Sequence, residues 1–197
     1  MQITDGDLFG QDCNAIALPT NGYVTSSLTL VMGAGIARRA ADIWPNLPDL
    51  LGLRVYQQGN AVHCITINKP DYNSHNIYLG GQNVPYHIIS FPTKPTKVNI
   101  KTKEDLTNVL LVYKQEAEAL LANTNKDMKW LPGWKAKSDL NLIKHSCEEL
   151  VELTDQMKWK KVCLPRVGCG NGGLEWTKVA ELLRKHLDHR FTVVNRQ

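Results

Sequence analysis

What the sequence lacks narrows its class before any motif is read. No run approaches the ~20 apolar residues that a bilayer-spanning helix needs, so no membrane partner is expected. The first residues, Met1-Gln2-Ile3-Thr4-Asp5, have neither the basic head nor the apolar stretch of a secretory signal. The five cysteines (Cys13, Cys64, Cys147, Cys163 and Cys169) are odd in number, and none belongs to a CxxC or CxxH pair. Such spacing supports neither a disulfide framework nor a zinc site. A reducing, cytoplasmic setting is therefore expected, with no metal and no cofactor. Of the six histidines only His186 and His189 lie close together, beside Lys185 and Asp188 at a helix end, where a solvated face accounts for them. There is no internal repeat and no low-complexity tract. Charge of one sign is also scarce: the net value of +4 admits an anionic ligand without demanding nucleic acid.

What is present suits one packed domain. The 197 residues are 43% apolar and 21% charged, which leaves ample material for a core. Short apolar or β-branched runs at residues 14–18, 62–67, 87–91, 161–165 and 191–194 read as buried strands, the first of them stopped by Pro19. Helical spacing lies between them. Leu106, Val109, Leu110, Tyr113, Ala117, Leu120 and Leu121 form one stripe, behind a capping box at Thr102 and Asp105. Ile143, Cys147, Leu150, Val151 and Met157 form a second, opened by Ser138 and Asp139. Trp176, Val179, Ala180, Leu183 and Leu187 form a third. Strands alternating with helices give an α/β layered fold. Residues 123–137 break the pattern with Asn, Lys, Pro and Gly around Trp130 and Trp134, and read as a surface insertion within a single domain spanning 1–197.

Two glycine turns carry the chemistry. Leu164-Pro165-Arg166-Val167-Gly168-Cys169-Gly170-Asn171-Gly172-Gly173-Leu174 follows a strand and opens a helix. Glycines there allow positive φ and close backbone approach, and the free N–H groups at a turn and helix start suit a phosphate. Met32-Gly33-Ala34-Gly35-Ile36-Ala37 is a second such turn, leading into a helix that ends near Trp44-Pro45. Either turn alone is a tight strand-to-helix connection; two in one small chain point to a pyrophosphate cradle. Gly168, Gly170 and Gly173 also satisfy GxGxxG, but that fingerprint should open a βαβ unit with an acidic residue closing the next strand. Here the next strand ends in Val193-Val194-Asn195, and Asp188 precedes it.

Taken together, these residues resemble the macrodomain family. Gly6-Asp7-Leu8 is similar to the family's early Gly-Asp motif, whose aspartate binds the adenine amino group. Ala15-Ile16-Ala17-Leu18-Pro19-Thr20-Asn21 is similar to the strand whose last asparagine faces the distal ribose. Gly33 to Ala37 and Val167 to Leu174 match the two diphosphate loops. The resemblance implies a three-layer α/β/α fold with a central mixed sheet and ADP-ribose, or an ADP-ribosylated substrate, as partner. The ligand contacts it implies fall on Asp7, Leu8, Gly33, Ala34, Gly35, Ile36, Ala37, Val167, Gly168, Cys169, Gly170, Asn171 and Gly172. The match is nearest to the subgroup of terminal ADP-ribose protein glycohydrolases and antitoxin-type DNA ADP-ribosyl glycohydrolases. Those share Met-Gly-x-Gly-Ile-Ala, as in Met32 to Ala37; the DNA-directed type adds Phe-Pro-Thr-Lys, as Phe91-Pro92-Thr93-Lys94 does. The subgroup's essential lysine falls on Lys94, so Lys94 and Asn21 are the catalytic residues the resemblance implies.

Two departures narrow it. Leu18 stands where hydrolytic members often carry asparagine. Gly172 stands where the protein-directed enzyme has an aspartate, so the DNA-directed pattern fits better. The implied activity is removal of ADP-ribose from a modified macromolecule, DNA or protein. A non-catalytic ADP-ribose reader and an ADP-ribose 1″-phosphate phosphatase share the same cradle and stay open, as does oligomeric state. On the residues alone, Asp7 also reads as a turn or cap aspartate, Lys94 as a solvated lysine and Asn21 as a turn asparagine before Gly22. Ser90 and Cys169 have no partnered histidine that the sequence identifies. Lys126, Lys129, Trp130, Trp134, Lys135 and Lys137, and again Lys158, Trp159, Lys160 and Lys161, interleave bases with aromatics. They are the first places to look if nucleic acid is a partner, though a basic loop with tucked tryptophans is the plainer reading.

Overall fold

A computed structural model describes residues 1–67, 86–123 and 129–195. In chain order its regular elements are β1 (Gln2–Asp5), β2 (Ala15–Asn21), α1 (Gly35–Ile43), α2 (Leu47–Gln58), β3 (His63–Ile67), β4 (Tyr86–Lys94), β5 (Lys97–Asn99), α3 (Lys114–Ala122), β6 (Trp130–Pro132), α4 (Leu140–Gln156), β7 (Val162–Pro165), α5 (Trp176–His186) and β8 (Phe191–Asn195). Six strands form one sheet in the order β1-β8-β7-β2-β4-β3, parallel throughout except that β3 runs antiparallel to β4. This is the central mixed sheet expected from the sequence.

Strands buried on both faces read as continuous apolar runs, because neither face meets water. In β2, Ile16 and Leu18 face a layer built from Ala40 of α1 and Leu47, Leu51 and Val55 of α2. Ala15 and Ala17 face the opposite layer, with Ile143, Cys147 and Leu150 of α4 and Val179 and Leu183 of α5. Each large aliphatic side chain so buried contributes roughly 1.5–3 kcal/mol. Asp139 caps α4, accepting from the N–H groups of Asn141 and Leu142 at 2.7 and 3.2 Å, a contribution of about 1 kcal/mol. Among the described residues no helix is long and apolar enough to cross a membrane.

Three expectations need correction. Pro19 does not stop β2, which continues to Asn21. The ladder to β7 ends at Ile16, so beyond it one flank of β2 is open and a residue without an N–H is tolerated. The stripe from Leu106 to Leu121 is not one helix: 3-10 turns cover Glu104–Asn108 and Leu111–Tyr113, and only Lys114–Ala122 is α-helical. Asp105 accepts from the N–H groups of Lys101 and Thr102, both at 2.8 Å, which is one half of the expected capping box, while the Thr102 hydroxyl donates to the same carboxylate. Val109 then bridges to Ala136, and the N–H of Leu110 donates to the Lys135 carbonyl, so tertiary pairing overrides helical periodicity. Third, the segment read as a surface loop contributes β6, which pairs antiparallel with β5. Leu131 and Ala136 are buried with Val98, Ile100, Val109 and Ala117 in a small satellite core.

Candidate functional site

The carboxyl ends of β1, β8, β7, β2 and β4 share one end of the sheet, where open α/β folds bind ligands. The two glycine turns leave from there. One joins β2 to α1 and the other joins β7 to α5.

The turns converge. A Cβ built on Gly35 would lie 3.2 Å from the Asn171 amide nitrogen of the other turn. Gly35, Gly168, Gly170 and Gly173 have φ of 60°, 71°, 55° and 73°, the left-handed region that glycine enters without strain. No side chain caps α1 and no acidic residue stands in its first turn, so its N-terminal amides and positive dipole end are free for an anion. In the second turn, Cys169, Gly172, Gly173 and Leu174 donate their N–H groups within the loop. Those of Gly170 and Asn171 have no backbone acceptor among the described residues. A Cβ on Gly33 or Gly170 meets nothing within 4 Å, so both face open space. Gly168 and Gly172 are different: Gly168 packs on Ile143 and Leu174, and Gly172 lies on Ser138, whose N–H bonds its carbonyl at 2.8 Å. Any side chain at position 172 would run into the Ser138 hydroxyl. Gly172→Asp is therefore expected to overpack the loop by roughly 1–3 kcal/mol. It should lower the thermal midpoint by several degrees.

Lys94 ends β4 beside Asn21 of β2. Thr20 pairs with Pro92 but Asn21 pairs with Lys94, so Thr93 is the extra residue of a bulge. A bulge re-aims the side chains next to it. Thr93 is pinned there: its hydroxyl donates to the Thr20 carbonyl at 3.2 Å and its own carbonyl accepts from Asp139. The Lys94 Nζ then donates to the carbonyls of Asn171 (2.9 Å) and Trp134 (3.1 Å). Burial pushes its pKa down to about 8. As a neutral amine its two N–H groups would satisfy those two carbonyls and leave the lone pair unengaged.

Asn21 is buried, and its amide closes the following loop. It donates to the Val31 carbonyl at 2.8 Å and accepts from the Tyr23 N–H at 3.0 Å. Asp7 caps the short 3-10 turn Leu8–Gly10, accepting from the Phe9 N–H at 3.2 Å, and Arg39 grips both its oxygens at 2.7 Å. The Arg39 guanidinium also lies 5.1 Å from the Phe9 ring centroid. Leu8 is buried beneath. Cys169 is half-buried, and burial, opposed by Arg166, raises its thiol pKa, away from nucleophilic use. Ser90 is buried and bonded to the Ala61 carbonyl and the His63 N–H, a brace between β4 and β3.

The structure thus brings Asn21, Gly33, Ala34, Gly35, Ile36, Ala37, Lys94 and residues 167–172 to one end of the sheet, with Asp7 and Leu8 on its β1 flank. Sequence reading missed Arg39 and Ser138. Arg39 has a local signal, falling one helical turn after Gly35; Ser138 has none, since its contact with Gly172 joins distant segments. In the basic aromatic segments Lys129, Lys135 and Trp159 have inward partners, while Lys158 and Lys160 are exposed. Lys135 pairs with Glu116 at 2.5 Å and lies over Trp134 and Tyr113, Lys129 binds the Leu121 carbonyl, and Trp159 is buried against His87. Lys126 lies outside the described residues. Among the described residues no cluster of three or more His, Cys, Asp or Glu side chains could hold a metal.

Comparison with known proteins agrees with this architecture. The family model described as Macro domain matches residues 127–183. No curated protein matches the sequence. The macrodomain of Mycobacterium tuberculosis DarG is similar in structure, with a TM-score of 0.62 at 20% identity over 99% of this chain and 97% of that one. The macrodomain of Thermus aquaticus DarG gives 0.59 at 15% identity, over 100% and 97%. Thermosipho africanus DarTG, solved in complex with ADP-ribose, gives 0.64 at 18% identity, over 99% of this chain and 41% of that one. With its mixed sheet between two helical layers and both glycine turns at one end, the chain has the macrodomain fold, and its residues 127–183 match the Macro domain family.

Proposed function

We propose that this protein binds ADP-ribose and acts as an ADP-ribosyl glycohydrolase. The observation that carries the reading is the meeting of the two glycine turns, with the buried Lys94 amine tied to one of them. In this reading the amides of residues 35–37 and 170–171 hold the diphosphate, whose negative charge suits helix N-termini and glycine turns. Asp7 takes the adenine amine, sharing its carboxylate with Arg39. The distal ribose then falls against Asn21 and Lys94. Asn21 retains one N–H and one lone pair for a ribose hydroxyl after its two loop contacts. Lys94 acts at the anomeric carbon and water completes the cleavage, with placement and electrostatic stabilisation supplying most of the acceleration. Calorimetry with ADP-ribose tests the first half: one site is expected, and absence of heat at roughly millimolar ligand would sink it. Turnover of ADP-ribosylated DNA and of ADP-ribosylated protein tests the second.

One observation favours a reader without turnover. No carboxylate pairs with Lys94 among the described residues, and a side chain at Gly172 would crowd the Ser138 hydroxyl. Binding without cleavage of either substrate class would select that reading.

A further inference from the structure

We infer that a hollow beside Lys94 receives the leaving group of the ADP-ribosyl substrate and selects against a cationic one; this rests on the glycohydrolase reading above. The hollow has a volume of about 290 Å³, and its walls include Gly22, Val24, Val55, Tyr56, Asn60 and Thr96. The topology places it. Asp7 follows β1 at one flank of the sheet, the glycine turns follow β7 and β2 in the middle, and Lys94 ends β4. Next comes β3, which is antiparallel, so its beginning lies at the same end of the sheet. Asn60 shortly precedes β3 and donates its Nδ2 to the Lys94 carbonyl at 3.0 Å. Gly22 directly follows Asn21, and Thr96 lies two residues past Lys94. The hollow therefore prolongs the line from Asp7 through the glycine turns to Lys94. A ligand with adenine toward Asp7 and its diphosphate on the turns directs its anomeric substituent there.

The lining decides the chemistry. Among the described residues it contains no carboxylate, ammonium, guanidinium or imidazole. Val24 and Val55 are apolar, the Tyr56 ring forms an outer wall that is 68% exposed, and the Thr96 hydroxyl and Asn60 amide are the neutral polar groups. A guanidinium leaving group would lose part of its water there with no carboxylate among the described residues to face it, which is costly. A neutral ring or amide meets no such cost. The volume lies near the lower bound of small-molecule pockets, room for one ring system. Gly22 keeps the floor closed, because a Cβ there would overlap both Asn60 and Thr96. In the reaction the bond from the anomeric carbon to the leaving group breaks, water supplies a hydroxyl to the ribose, and its remaining proton goes to the leaving group.

The test uses two conjugates of ADP-ribose at the anomeric carbon, one carrying 4-nitrophenyl and one a guanidine-linked arginine amide. Tyr56 is exposed, so Tyr56→Ala and Tyr56→Glu leave the fold intact. Comparing each variant with wild type on the same conjugate cancels intrinsic leaving-group reactivity. Tyr56→Ala should lower kcat/KM on the nitrophenyl conjugate about tenfold and leave the guanidine-linked conjugate unchanged, because that group gains nothing from the ring. Tyr56→Glu should raise kcat/KM on the guanidine-linked conjugate about tenfold. The dissociation constant for free ADP-ribose should stay within about twofold in both variants. Unchanged turnover of the nitrophenyl conjugate, equal losses on both conjugates, or a parallel loss of free ADP-ribose binding would overturn the assignment. So would a wild-type protein that binds free ADP-ribose but cleaves neither conjugate. Failure of the wild type to bind free ADP-ribose would instead overturn the cradle itself, and the hollow's role with it.

Discussion

Gly170→Glu is expected to weaken ADP-ribose binding on the order of a thousandfold while leaving the protein folded. Two effects of different size separate here. Gly170 has φ of 55°, so any side chain there costs roughly 1–2 kcal/mol. A Cβ at this position meets nothing within 4 Å, so no steric penalty is added in the free protein. The second effect acts only on the complex. A carboxylate about 4 Å from a phosphate, at an effective dielectric of about 20, opposes it by about 4 kcal/mol, or roughly three decades in affinity. Gly170→Ala carries the backbone cost without the charge and should bind within about tenfold of wild type. Calorimetry on both variants, with thermal melts as the folding control, makes the comparison. Equal affinity in wild type and the glutamate variant would remove the second turn from the phosphate site.

Lys94→Ala is expected to reduce kcat/KM on an ADP-ribosylated substrate by roughly 10²–10⁴-fold, with free ADP-ribose affinity changed less than about tenfold. The sign of the pH dependence follows from the lowered pKa. Burial moves the amine from 10.5 to about 8, so below pH 8 the group is mostly ammonium, and its neutral fraction rises about tenfold per pH unit until it levels above 8. If the lone pair reacts, kcat/KM should climb through about pH 8 and then flatten, since kcat/KM reports the free enzyme. Lys94→Arg, charged at every accessible pH, should not restore activity. A profile that falls through pH 8, with rescue by arginine, would assign Lys94 an electrostatic role instead. Turnover unchanged in the alanine variant would dismiss it from the chemistry altogether.

The parts of the fold legible in the sequence are those whose signal is local. β4, β7 and β8 are short apolar runs because two helical layers cover both their faces, and α4 and α5 show their stripes because each buries one. The sequence reading stopped the first helix near Trp44-Pro45 and assigned nothing beyond it, yet α2 follows directly, with Pro48 in its first turn, where no N–H is needed. The chain from Thr102 to Tyr113 misled for the opposite reason. Its helical spacing is real, but its backbone groups are claimed by Lys135 and Ala136, which no window of local sequence contains. At the site, the glycine turns were legible through composition. The resemblance drew attention to Lys94, but its two carbonyl partners lie 40 and 77 residues away, and neither leaves a trace around it in the sequence. The partners of Asp7 and Asn21 also had to be seen: one is held by an arginine 32 residues on, the other binds its own loop.

The hydrogen bond from Lys94 to Trp134 ties the buried amine to the appendage formed by β5, β6 and α3, not to the sheet alone. Among the described residues the second glycine turn meets that appendage through Leu110, Lys137 and Ser138, which lie against Gly172 and Gly173. Wear inside it, such as a void left by trimming Leu131, would therefore slacken the amine before it disturbed the anion cradle. On the glycohydrolase reading, a lineage could pass from cutting to merely holding its ligand by decay in a region outside the glycine turns.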